Sequence, residues 1–166
     1  MSNFEDNFAI ETSTIVAIIS DLIVRNIQMK NNYGMKGGCF EINHSTLQVY
    51  NSRFSGNIAN FGGVMFTLSG SEVDVMKSVF ELNMATDGSV LNSVVNTKPE
   101  AIKFTESVFR FNWAEAYMFN LKLTDAVVHN CTIGDNFSFQ GTHGVVMFKA
   151  NLTVSETEIY FTKSNY

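Results

Sequence analysis

Apolar residues stand two apart in pairs along most of the chain: Leu22 and Val24, Leu47 and Val49, Val73 and Val75, Ile102 and Phe104, Ala126 and Val128, Leu152 and Val154. Between them lie variable and often polar residues such as Gln48, Asp74, Lys103 and Thr153. A period of two with β-branched residues on the apolar side predicts a short strand with one face in a core, whereas a helix would need a period of 3.6. The first five pairs sit ten and eight places before an asparagine, Asn32, Asn57, Asn83, Asn112 and Asn136, and the sixth before Thr162; Asn7 stands one repeat ahead of Asn32. Successive anchors are 25, 25, 26, 29, 24 and 26 residues apart. A strand returning in the same phase every ~25 residues predicts coils stacked about 4.8 Å apart, their strands forming parallel sheets along one axis.

The other columns keep their chemistry too. Three places before the anchors stand Phe4, Met29, Phe54, Phe80, Phe109, Ile133 and Ile159, a predicted core stack. Five places before stand mostly small residues, among them Ser52, Ser78, Ser107 and Cys131; two places after stand Ala9, Gly34, Ala59, Ala85, Ala114 and Ser138. Asn7, Asn32, Asn57, Asn83, Asn112 and Asn136 are expected to form an internal ladder at a corner, where an amide satisfies turn backbone and bonds its neighbours above and below. Gly37-Gly38 and Gly62-Gly63 supply the next corner. Asp87-Gly88-Ser89 keeps one glycine, Ala116-Tyr117-Met118 keeps none, and Gly144 arrives late, so those corners should be distorted. The expected fold is all-β, a parallel β-solenoid of about six to seven coils in one domain over residues 1–166. In that register Asp74 lies beside Lys103, Lys77 beside Glu106 and Glu81 beside Arg110.

The elements Phe4-Glu-Asp-Asn7, Phe54-Ser-Gly-Asn57, Phe80-Glu-Leu-Asn83 and Phe109-Arg-Phe-Asn112, with Gly37-Gly38-Cys39-Phe40 and Gly62-Gly63-Val64-Met65, carry a resemblance. They resemble the FxxN and GG repeats of chlamydial polymorphic outer-membrane proteins and the pectin-lyase-like repeats of large protist surface proteins. That resemblance implies a right-handed parallel β-helix and favours an extracellular or cell-surface setting. It says little about activity, because the matching residues are those that build the coil.

Composition narrows the partners. A net charge of −5 without a basic run argues against nucleic acid or anionic lipid, both of which need clustered Lys and Arg. Met1 is followed by no basic segment and apolar run of a secretory leader, and Ile15 to Val24 is about half the ~20 residues of a membrane span. Cys39 and Cys131 fall four coils apart in different columns, too far for a disulfide, and read as free thiols. His44, His129 and His143 also occupy different columns, so neither a metal set nor a cofactor is expected.

Three functional classes follow. Polysaccharide enzymes on solenoids use clustered carboxylates or an Arg or Lys base, but Glu41, Asp74, Asp87, Glu100 and Asp125 do not recur in one column. A glycan-binding module needs an aromatic face; Trp113 and Tyr117 are the candidates that could flank one corner. The third class, a non-catalytic structural or interaction scaffold within a larger surface or filamentous assembly, fits best. Its expected contacts are a protein partner or neighbouring coils at open ends, and a loop at Asn96, Thr97, Lys98, Pro99 and Glu100, where the longest repeat carries the single proline. Asn43 and Asn151 are the better-placed of four glycosylation acceptor patterns.

Overall fold

The computed structural model describes residues 2–68, 70–94, 100–122, 124–138, 145–148 and 151–160. All regular structure in these residues is strand, organised as a parallel β-solenoid of about five turns spaced about 26 residues apart. The sequence count of six to seven coils included the part-turns that precede the first complete rung and follow the last one.

Each turn visits four faces. Sheet I contains Ser2–Glu5, Ile27–Lys30, Arg53–Ser55, Val79–Glu81, Val108–Arg110, Thr132–Gly134 and Glu158–Tyr160. Sheet II contains Tyr33–Lys36, Ile58–Phe61, Met84–Asp87, Trp113–Ala114 and Phe137–Ser138. Sheet III contains Ile15–Ile18, Phe40–Asn43, Met65–Leu68, Leu91–Val94, Phe119–Lys122 and Val145–Phe148. Sheet IV contains Asp21–Arg25, Thr46–Tyr50, Glu72–Met76, Glu100–Thr105, Thr124–His129 and Asn151–Ser155. Every pairing is parallel and joins a strand to its counterpart in the next turn, with Phe54 opposite Phe80 and Phe80 opposite Phe109.

Alternation decides what enters the core. Leu47, Val49, Val73, Val75, Ile102 and Phe104 of sheet IV are buried, while Gln48, Asp74 and Lys103 face outward. Met29, Phe54, Phe80 and Phe109 of sheet I are wholly buried, and the rings of Phe54, Phe80 and Phe109 stack at 4.9 and 5.0 Å between centroids. Phe4 and Ile159, on the first and last described strands of this sheet, pair on one side and are exposed; Ile133, paired with Phe109 and Ile159, is half-buried. The strands are short because left-handed residues break them at the corners. These include Asp6, Asn31, Gly56, Leu82, Phe111 and Asp135 between sheets I and II, and Gly37, Gly62 and Gly88 between II and III.

The glycine pair solves two problems. Gly62 has φ +67°, which its Cβ-bearing replacements resist. Gly63 needs no unusual φ, but a Cβ there would lie 2.3 Å from the Ser89 carbonyl oxygen of the next turn. Where Ala116-Tyr117-Met118 replaces the pair, the regular sheet II strand shrinks to Trp113–Ala114, although residues 115–118 keep backbone hydrogen bonds to the preceding turn.

Candidate functional site

The interior is occupied by construction. Asn32 Nδ2 donates to Asn57 Oδ1 at 2.9 Å, Asn57 to Asn83 at 3.0 Å, Asn83 to Asn112 at 2.9 Å and Asn112 to Asn136 at 2.9 Å, with Asn7 joining Asn32 at 2.7 Å. The same Nδ2 groups donate to the carbonyl of the core residue one turn earlier: Asn57 to Met29, Asn83 to Phe54, Asn112 to Phe80 and Asn136 to Phe109. That second bond explains the fixed spacing between aromatic and asparagine. A parallel hydroxyl ladder runs at the corner between sheets IV and I, where Ser52 N–H donates to Ser78 Oγ and Ser78 N–H to Ser107 Oγ. Cys131 holds the next place and accepts from Ser107 N–H through Sγ. Cys39 and Cys131 are free and buried, and burial pushes both thiols above their usual range, which makes them poor nucleophiles.

Chemistry is therefore confined to the outer faces. Sheet I carries a charge cluster in which Glu81, nearly buried, bonds Arg53 from the preceding turn and Arg110 from the following one, the latter through Nη2 at 2.8 Å. Burial raises the Glu81 carboxyl pKa, but the hydrogen bonds and charges of Arg110 and Arg53 outweigh it and hold it below its usual range. Lys77 and Glu106 lie 3.5 Å apart. Asp74 and Lys103 are register partners, yet no ion pair forms between them and Asp74 Oδ1 is enclosed without a hydrogen-bond partner.

The outer face of sheet IV forms a shallow groove of about 390 Å³ lined by Thr46, Gln48, Glu72, Asp74, Lys103 and Asp125. It brings two of the sequence-derived acids, Asp74 and Asp125, to one face and adds Glu72. Glu41 and Asp87 lie elsewhere, in the notch between sheets II and III. There Lys36 sits over the Phe66 ring, and Asn120 Nδ2 donates to Asp87 Oδ2 at 2.5 Å. Burial outweighs the nearby Lys36 and raises the Glu41 carboxyl pKa. Among the described residues no group of three or more His, Cys, Asp or Glu side chains is placed to hold a metal ion.

The remaining candidates are dispersed. Trp113, half-buried, points out from sheet II; Tyr117, also half-buried, stands in the distorted corner that follows. Asn43 ends a sheet III strand, with Oδ1 2.7 Å from His44 Nδ1, and Asn151 begins a sheet IV strand. Of the proline loop, Glu100 opens a sheet IV strand, while Asn96, Thr97, Lys98 and Pro99 lie outside the described residues, as does His143.

One column of surface residues was not anticipated. Immediately after each ladder asparagine stand Phe8, Tyr33, Ile58, Met84, Trp113 and Phe137, in register from turn to turn on the outer side of sheet II. Phe8 and Phe137 are more than half exposed, Ile58 and Met84 are 40% exposed, and the Phe8 and Tyr33 rings stack at 4.9 Å. Ile10, Met35, Leu82 and Phe111 extend the apolar surface on either side. The signal was present in the sequence, as a place one after the anchor that is apolar in six successive repeats.

Comparison with protein-family models, with characterised proteins and with solved structures finds no match for this chain.

Proposed function

We propose that the chain is a non-catalytic interaction scaffold: a right-handed β-helical rod of the pectin-lyase-like kind that docks protein through sheet II, within a larger surface or filamentous assembly. The observation that carries this reading is the apolar column Phe8, Tyr33, Ile58, Met84, Trp113 and Phe137. Outward positions of a soluble strand are normally polar, and a contiguous exposed apolar patch marks an interaction surface. The resemblance of the repeats supports the cell-surface setting, in which Asn43 and Asn151 would be glycan acceptors.

A glycan-binding module is the second reading, favoured by the sheet IV groove, whose carboxylates, amide and lysine suit sugar hydroxyls. It ranks lower because, among the described residues, no aromatic platform lines that groove. The test is a panel of neutral and acidic polysaccharides, read for retardation in affinity gels and for release of reducing ends or unsaturated uronates. The scaffold reading expects neither. Retardation lost in Asp74→Asn would install the glycan reading, and bond cleavage lost in the same variant would install an enzyme.

A further inference from the structure

The sheet II column reads, in rung order, Phe8, Tyr33, Ile58, Met84, Trp113, Phe137. Reversed, it presents the same chemistry: aromatic, aromatic, aliphatic, then aliphatic, aromatic, aromatic. A two-fold axis lying along the strands, between the third and fourth rungs, places Phe8 against Phe137, Tyr33 against Trp113 and Ile58 against Met84 of a second copy. From this symmetry we infer that the docking partner of sheet II is another copy of the same chain, packed face to face with its solenoid axis reversed. The inference rests on the docking reading above and names its occupant.

Three further observations support the second copy. The first is area. The stripe together with Ile10, Met35, Leu82 and Phe111 includes eight large apolar side chains exposed by 39% to 74%. At about 180 Å² for each such side chain, they leave roughly 750 Å² of apolar surface in water. That exceeds the ~300–600 Å² of the largest patch on a typical monomer and approaches the ~800 Å² each partner contributes to a standard interface.

The second observation is shape. The corner column beside the stripe holds Asn31, Gly56, Leu82 and Phe111 on its four central rungs. The same axis sets Leu82 opposite Gly56 and Phe111 opposite Asn31, large against small, as an isologous interface requires. Asp6 and Asp135 meet their like only at the two rims, where salt and water screen them.

The third is strain. Leu82 and Phe111 adopt φ 57° and 55°, where glycine, asparagine and aspartate occupy the equivalent places in other turns. A bulky residue there carries a conformational cost, and both side chains are at least half exposed. Within one copy that cost has no return in burial; against a second copy both side chains lose their water. A parallel arrangement, with the axis through the stripe, would instead set Leu82 against Thr86 and Phe111 against Glu115, which are polar.

The test uses the whole chain over a dilution series, with mass by sedimentation equilibrium and emission from Trp113, the single tryptophan, which lies inside the proposed contact. The expected result is a mass rising from 18.5 kDa towards twice that value with a parallel blue shift of Trp113 emission. Phe8→Lys and Phe137→Glu should each weaken association at least tenfold. Combined in one chain they should restore it to within about threefold of the parent, because the two sites lie about 24 Å apart in a copy and meet only across the axis. Far-UV circular dichroism reports whether each variant folds; Ile58→Lys, on an exposed central rung, is the substitute for either that does not, and should also abolish association. A monomer throughout the series overturns the proposal, as does a dimer indifferent to all three substitutions. A dimer that both single changes abolish and the pair fails to restore overturns the reversed register. A monomer that neither binds nor cleaves polysaccharide leaves the scaffold reading standing, whereas cleavage removes that reading whatever the mass.

Discussion

Asn83 uses its whole hydrogen-bonding capacity inside the corner. Its Oδ1 accepts from the N–H and Nδ2 of Asn57, and its Nδ2 donates to the Phe54 carbonyl and to Asn112 Oδ1. Asn83→Leu would leave the Asn57 N–H without its acceptor and remove bonds from Asn57 Nδ2, the Phe54 carbonyl and Asn112 Oδ1, all on buried residues. At about 1–3 kcal/mol per stranded group, partly relieved by rearrangement, the expected loss is about 3–5 kcal/mol. Urea denaturation checks this, and an unchanged midpoint would remove the ladder from any account of stability. The serine column is more forgiving, since sulfur already serves at Cys131. Leu82, one residue before Asn83, has the opposite sign. Leu82→Asn places in the left-handed corner a residue that tolerates it, and the isolated chain should gain about 1 kcal/mol. The same substitution should weaken self-association, so thermal melting at low concentration and sedimentation at high concentration should move in opposite directions.

At the scale of strands and corners, charge is placed between turns rather than within them. Glu81 ties Arg53 and Arg110, so three turns of sheet I share one carboxylate. Its folded pKa lies below its unfolded one. The stability it contributes is therefore complete above the ordinary carboxylate range and is lost as pH falls through the folded pKa. Glu41 in the notch is shifted the other way, upward, so its ionised form opposes folding at neutral pH and protonation relieves it. Denaturation midpoints between pH 7 and pH 3 should show Glu81→Gln below the parent at pH 7, with the gap closing on acidification. Glu41→Gln should lie above the parent at pH 7, its gap also closing. Parallel curves for either variant would contradict the assigned direction. Sequence register gave the straight-across pair of Glu81 with Arg110 but missed Arg53, which reaches Glu81 diagonally from the preceding strand. It also paired Asp74 with Lys103, which adjoin in register without closing to an ion pair, because column neighbours are set by backbone and ion pairs by side-chain reach.

For the whole molecule, the repeat made the solenoid legible because every turn repeats the same inward demands: an amide at one corner, a hydroxyl at another, an aromatic between them. The outward column on sheet II was as regular in the sequence, but inward alternation alone does not reveal it; burial and register had to show which face the residue after each asparagine occupies. Of the proline loop only Glu100 lies among the described residues, opening a sheet IV strand, and the candidate acids proved to be split between two faces. A molecule built this way is quasi-one-dimensional, each turn held only by its neighbours, and its cooperativity should fail where the stack is cut. Phe80 lies between Phe54 and Phe109, stacked on both. Phe80→Ala should cost about 3–5 kcal/mol and uncouple the turns on either side. Trp113 reports only on the later turns, while far-UV circular dichroism averages over all of them. The two probes should coincide during urea unfolding of the parent and separate in Phe80→Ala. Ile133→Ala, half-buried near the far end of the same column, should lower the midpoint while leaving the probes coincident. Coincident transitions in Phe80→Ala would mean that coupling between the halves survives loss of the aromatic stack, and would assign it to the asparagine and serine ladders instead.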